Sequence, residues 1–103
     1  MQHIRSFFAT DRYSAKKMAK PVNFVCVAPG AREVKLVGDF NGWDGEVTPM
    51  WRQPDGAWLA QIPLHHGHHQ YVFLVDGKTV LDPKAHGIAR NHRGDKVSLV
   101  AVS

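Results

Sequence analysis

Asp39, Asp44, Asp55, Asp76, Asp82 and Asp95 are the first candidates for chemistry in this chain of 103 residues, because two carboxylates facing each other across a cleft can split a glycosidic bond. Such a pair must stand roughly 5 to 9.5 Å apart. All six sit next to a glycine or a proline, where an aspartate ordinarily hydrogen-bonds its own backbone in a turn. Nucleophiles are no better placed. Cys26 and Ser98 lie inside alternating, strand-like segments, and the GxSxG, GxGxxG and P-loop patterns are absent. The chain is therefore expected to be non-enzymatic and to need no cofactor.

His65, His66, His68 and His69 fall within the five residues HHGHH and invite a metal reading, since imidazole ligates zinc, copper and nickel. No cysteine is near them in the sequence. No physiological metal site is expected there, only adventitious retention on nickel resin.

The stretch GDFNGWD, Gly38 to Asp44, poses a different question, because Trp43 follows an Asn-Gly turn where a loop should face water. An indole exposed in that place offers a flat apolar surface on which the C–H face of a sugar ring can rest. Trp43 is either such a platform or a plug folded back over the edge of the core. A single ring is insufficient for a platform. Removing about 100 Å² of apolar surface at ~25 cal/mol per Å² yields about 2.5 kcal/mol, less than the roughly 4 kcal/mol at the low end of the freedom lost on association. Further contacts must accompany it.

The elements that would position these residues read as all-β from Pro21 onward, with period-two alternation broken by turn residues. Val22, Phe24 and Cys26 form one side of a first strand. Glu33 to Phe40 form a second, with Val34 and Leu36 pointing one way and Lys35 and Val37 the other. Met50 to Gln53 and Ala57 to Ile62 flank the hairpin turn Pro54-Asp55-Gly56, which places Met50 and Trp58 inward and Trp51 outward. The histidine loop 65–69 precedes a strand from Gln70 to Val75, with Tyr71, Phe73 and Val75 inward and Val72 and Leu74 outward. Asp76-Gly77 turns into a short strand, Thr79 to Leu81, that stops at Asp82-Pro83. Residues 84–94 read as a polar loop and Val97 to Val102 as the closing strand. About seven short strands in some eighty residues predict an immunoglobulin-like β-sandwich.

Length allows one folded domain, residues 21–103, preceded by a basic arm, residues 1–20. The net charge of +4 belongs to that arm, which has five basic residues against one acidic, whereas residues 21–103 hold eight of each. A balanced domain lacks a general phosphate-binding face, so nucleic acid is not an expected partner. Ile4, Phe7, Phe8, Tyr13 and Met18 are many apolar groups for a linker, and the arm is either loosely held or docked on the sandwich or another chain. No apolar run approaches the ~20 residues needed to span a bilayer, and the N-terminus lacks a secretory h-region. With one cysteine, read as a small buried hydrophobe, a cytoplasmic setting and no membrane partner are expected.

APGAREVKLVGDFNGWD, followed by PM, DGAW, LHHGHHQYVFLVDG and LDP, resembles the family 48 carbohydrate-binding modules over residues 21–102. These modules are sandwich domains of glycogen-branching and debranching enzymes and of the β subunit of AMP-activated protein kinase. The resemblance implies a sandwich that binds α-1,4-linked glucan such as glycogen, starch or maltooligosaccharide, with Trp43 as the stacking platform and a glycogen-metabolising enzyme as a possible companion. The best glycan binders of the family add a second tryptophan after the DG turn, a lysine in the preceding strand and an asparagine near the last strand. At the matching places this chain has Thr79 or Lys78, then Val72, then Asp95 or Lys96. Trp51, Lys78 and Asn91 are the remaining candidates to assist Trp43. The rival expectation is a protein-interaction or self-association module in which Trp43, Trp51, Val72 and Leu74 form an apolar patch.

Overall fold

A computed structural model of the chain describes residues 18–103. The apolar residues Ile4, Phe7, Phe8 and Tyr13 of the basic arm lie outside the described residues, and Met18 is exposed. Eight strands are present among the described residues: β1 (Lys20–Val27), β2 (Val34–Gly38), β3 (Trp51–Arg52), β4 (Ala57–Leu64), β5 (Gly67–Val75), β6 (Lys78–Val80), β7 (Gly87–Arg90) and β8 (Lys96–Val102). They form two antiparallel sheets, one ordered β1-β4-β3 and the other β2-β5-β8-β7. β6 pairs with Phe73 to Val75 of β5 while β8 pairs with Gly67 to Tyr71, so the two share one edge of β5 in succession. This is the expected all-β, immunoglobulin-like sandwich. Among the described residues no helix is long and apolar enough to cross a membrane.

Alternation drives the packing. Phe24 and Cys26 of β1, Trp58 and Ala60 of β4, Val34 and Leu36 of β2, Tyr71 and Phe73 of β5 and Val100 and Val102 of β8 meet between the sheets as one buried cluster. The ring of Tyr71 meets Phe24 edge-on at 4.8 Å and Phe73 at 5.9 Å, the offset geometry that aromatic quadrupoles favour. Trp58 is buried as expected and donates its indole N–H to the Ala28 carbonyl at 2.9 Å. Met50 is buried beside an exposed Trp51, as their adjacency requires. One polar cluster enters the core: the Tyr71 hydroxyl donates to Asp82 Oδ2 at 2.6 Å, and the Asp82 N–H donates to Ser98 Oγ at 2.8 Å.

Three expectations are corrected. Residues 84–94 are not wholly loop, because β7 pairs Gly87 to Arg90 with Leu99 to Lys96. Its more sheltered residues, Gly87 and Ala89, are too small to give a legible hydrophobic period. β5 begins at Gly67 and not at Gln70, since pairing with β8 orders His68 and His69, whose side chains carry no strand pattern. The outward face of the larger sheet is not bare. Val72 does point outward, yet with Val37 and Val97 it forms a second buried cluster, against which Leu74, Leu81 and Ala89 pack. Val72 therefore contributes no exposed apolar patch.

Candidate functional site

Trp43 stands on the loop joining β2 to β3, and that loop is built from Asn41. The Asn41 side-chain oxygen accepts from the Gly38 N–H at 3.0 Å, and its amide donates to the Leu36 carbonyl at 2.9 Å and to Thr48 Oγ1 at 3.1 Å. One side chain thus ties the start of the loop to its end. The Trp43 N–H donates to the Gly38 carbonyl at 2.9 Å, closing the tight segment that Gly42 and Trp43 turn with φ of 67° and 60°. Left-handed backbone suits Gly42 but costs a residue with a Cβ about 1–2 kcal/mol. Trp43 holds that conformation with its side chain 40% exposed.

Two further ties fix the loop to the sheet. Asp39 Oδ2 accepts the Gln70 N–H at 2.9 Å and Oδ1 lies 3.4 Å from His69 Nδ1. At the far end Lys35 donates to Glu46 at 2.5 Å. That hydrogen bond, opposed by partial burial and reinforced by the charges of Glu33 and Glu46, holds the Lys35 ammonium above its ordinary pKa.

The facing wall is the turn between β7 and β8. Asn91 Oδ1 accepts from the N–H groups of Arg93 at 2.9 Å and Asp95 at 3.0 Å, so its oxygen shapes the turn. Its amide nitrogen has no partner among the described residues. Trp43 and Asn91 together border two concavities on the outer face of the larger sheet. One, of about 390 Å³, is floored by Val72 and Val97 and edged by Thr79 and Lys96. The other, of about 410 Å³, is edged by Asp39, Gln70, His92 and Arg93.

Of the four candidates read from the sequence, the fold brings Trp43 and Asn91 together and leaves Trp51 and Lys78 elsewhere. Trp51 belongs to the smaller sheet, where it pairs with Leu59 and is 70% exposed. It cannot share a patch with Trp43. Lys78 pairs with Val75, an inward position, whereas its neighbour Thr79 pairs with Leu74 and lines the concavity beside Trp43. Gln70 and Arg93 also reach the site without having been singled out. Outward alternation along β5 was the available signal for Gln70; for Arg93 it was membership of the basic stretch from Lys84 to Lys96, which holds Lys84, Arg90, Arg93 and Lys96 and can donate to sugar hydroxyls.

The histidines do not converge. His65, His66 and His68 are exposed, and His69 is committed to Asp39 and, through Nε2 at 2.9 Å, to the His65 carbonyl oxygen. No metal-binding group of side chains is found among the described residues. Chemically the site offers an aromatic surface, amide, guanidinium and ammonium donors and the hydroxyl of Thr79. Its two bordering carboxylates, Asp39 and Asp95, stand in different concavities, and both oxygens of Asp39 are engaged.

Comparison with known proteins adds to this geometry. The chain is 44% identical over 72 residues to a 1,4-alpha-glucan branching enzyme of Rhizobium johnstonii, covering 67% of this chain and 10% of the relative. It is 40% identical over 88 residues to one of Novosphingobium aromaticivorans, covering 81% and 12%, and 50% identical over 83 residues to one of Synechococcus elongatus, covering 78% and 11%. The chain thus spans about a tenth of the length of these curated relatives. Residues 20–103, which include both sheets and the Trp43 site, match the family described as the glycogen recognition site of AMP-activated protein kinase, and the chain belongs to that family of carbohydrate-binding modules.

Proposed function

We propose that this chain binds α-1,4-linked glucan without breaking a bond in it, and that it serves to localise a glucan-metabolising activity on polysaccharide. The observation that carries the proposal is the placement of Trp43. Its indole is part-exposed, sits on a loop braced by three Asn41 side-chain hydrogen bonds, and lines the same concavities as Asn91, whose amide nitrogen has no partner among the described residues. Support comes from membership of a glycogen-recognition family and from relatives named as 1,4-alpha-glucan branching enzymes. The indole carries the apolar face of a glucose ring, and Asn91, Thr79 and Lys96 supply the polar contacts that a lone ring needs to overcome the cost of association.

Isothermal titration with β-cyclodextrin, alongside retention on amylose, tests this. Binding in the micromolar to millimolar range for the wild type and its loss in Trp43→Ala is the expected result. No heat and no retention at millimolar ligand sinks the proposal.

A second reading rests on a separate observation. Val25, Leu59 and Trp51 pair directly across β1, β4 and β3, placing an apolar row on the outer face of the smaller sheet. Val25 is 38% and Trp51 70% exposed. Such a row suits contact with another protein surface, and it leaves the Trp43 face free.

A further inference from the structure

Building on the glucan proposal, we infer that the site is double: a second glucose subsite lies on the far side of Trp43, in the concavity edged by Gln70, His92 and Arg93, so that the protein selects for chain length. Trp43 and Asn91 border both concavities and therefore stand at their junction. Beneath them the two floors follow one strand, Gln70 under one and Val72 under the other. Two residues along a strand span roughly 7 Å, longer than the advance of a single α-1,4-linked glucose, so the two concavities are filled by different rings of one chain. A glucan laid along β5 passes from the first concavity over the Trp43–Asn91 junction into the second.

The chemistry of the second concavity fits hydroxyl groups. Arg90, three residues earlier at the end of β7, uses its guanidinium to donate to the Gly94 carbonyl at 2.6 Å and is spent on structure. The Arg93 guanidinium has no partner among the described residues, nor does the side-chain amide of Gln70. Among the described residues that line it, Asp39 and the side-chain oxygen of Asn91 are committed to the fold. A planar guanidinium presents two parallel N–H donors, matched to vicinal hydroxyls on one ring, and Gln70 offers both donor and acceptor. Asp39 offsets the positive charge of Arg93, which favours a neutral glucan over an anion.

Titration of methyl α-glucoside and maltoheptaose into the wild type, Arg93→Ala and Gln70→Ala tests this, since a single ring cannot span both concavities. The wild type is expected to prefer maltoheptaose. Arg93→Ala should cut that affinity by about tenfold, the loss of a hydrogen bond from a charged donor, while leaving methyl α-glucoside and the melting temperature unchanged; Gln70→Ala should act in the same sense but less strongly. Equal wild-type affinity for the two sugars, or variants that weaken both by the same factor or neither, overturns the second subsite alone. A wild type that binds neither sugar overturns the glucan proposal and this inference with it.

Discussion

The side-chain amide of Asn41 donates to Oγ1 of Thr48 across 3.1 Å, joining the first residues of the β2–β3 loop to its last. The same amide reaches Leu36 in β2 and the same residue's oxygen receives Gly38, so Asn41 sets where Trp43 stands without touching either concavity. Asn41→Ala removes three hydrogen bonds, two of them to backbone groups near the core, and is expected to cost about 2–3 kcal/mol of stability. Its effect on glucan retention should exceed that of Thr48→Val, which removes only one of the three. Denaturant unfolding and amylose retention of both variants measure this; equal behaviour of the two would mean that Asn41 does not organise the loop.

The left-handed backbone at Trp43 separates stability from binding. Trp43→Ala deletes the indole but keeps a Cβ at φ 60°, whereas Trp43→Gly deletes it and relieves the strain. Glycine's greater freedom in the unfolded chain offsets part of that relief. The glycine variant is expected to be as stable as the alanine variant, or more stable by up to about 1 kcal/mol, with glucan retention lost equally in both. Paired urea melts give the answer, and a glycine variant clearly weaker than the alanine one would contradict the strained turn.

The sandwich was legible because its inward residues, such as Phe24, Leu36, Phe73 and Val100, are bulky and alternate with period two. Where a strand's sheltered residues are small, as Gly87 and Ala89 are, the period disappears, and β7 was read as loop. The site was half legible. Trp43 and Asn91 announced themselves by type and by turn context, but their juxtaposition depends on how the β2–β3 loop and the β7–β8 turn meet over β5, a relation between residues about fifty apart that local pattern does not encode. Trp51 illustrates the same limit. Alternation placed it outward, and only the sheet order assigns it to the opposite side of the molecule from Trp43. Lys78 and Thr79 differ by one residue and so face opposite sides of the larger sheet; register alone distinguishes them.

Trp51 and Trp43 can be separated experimentally because they lie on different sheets. Trp51→Lys puts a charge in the middle of the Val25–Leu59–Trp51 row and should leave glucan affinity at the wild-type value. If the row is a protein contact, the wild type self-associates at high concentration and the variant does not. Sedimentation of both proteins over a concentration series reads this out. A monomeric wild type excludes self-association through the row, and a variant that loses glucan binding denies the independence of the two faces.

Among the described residues Asp82 and Tyr71 form the one buried acid pair, with the phenol donating at 2.6 Å to a carboxylate that also receives the Lys84 N–H at 2.9 Å. Burial pushes the Tyr71 phenol strongly upward, and the hydrogen bond to Asp82 and its negative charge push the same way. The unfolded phenol ionises near pH ~10, and the folded one well above it. Between those values the native state holds a proton that the unfolded state has lost, so the stabilisation is complete below pH ~10 and drains away as pH rises beyond it. Tyr71→Phe forfeits the hydrogen bond to a charged acceptor and is expected to be less stable than wild type by about 1–3 kcal/mol at pH 7. Above pH ~10 the wild type loses this advantage while the variant has none to lose, so the gap between their unfolding free energies should narrow. Other groups that titrate in alkali affect both proteins alike and cancel in the difference. Curves that stay parallel from pH 7 to 11 would show that the Tyr71 proton plays no part in holding the sheets together.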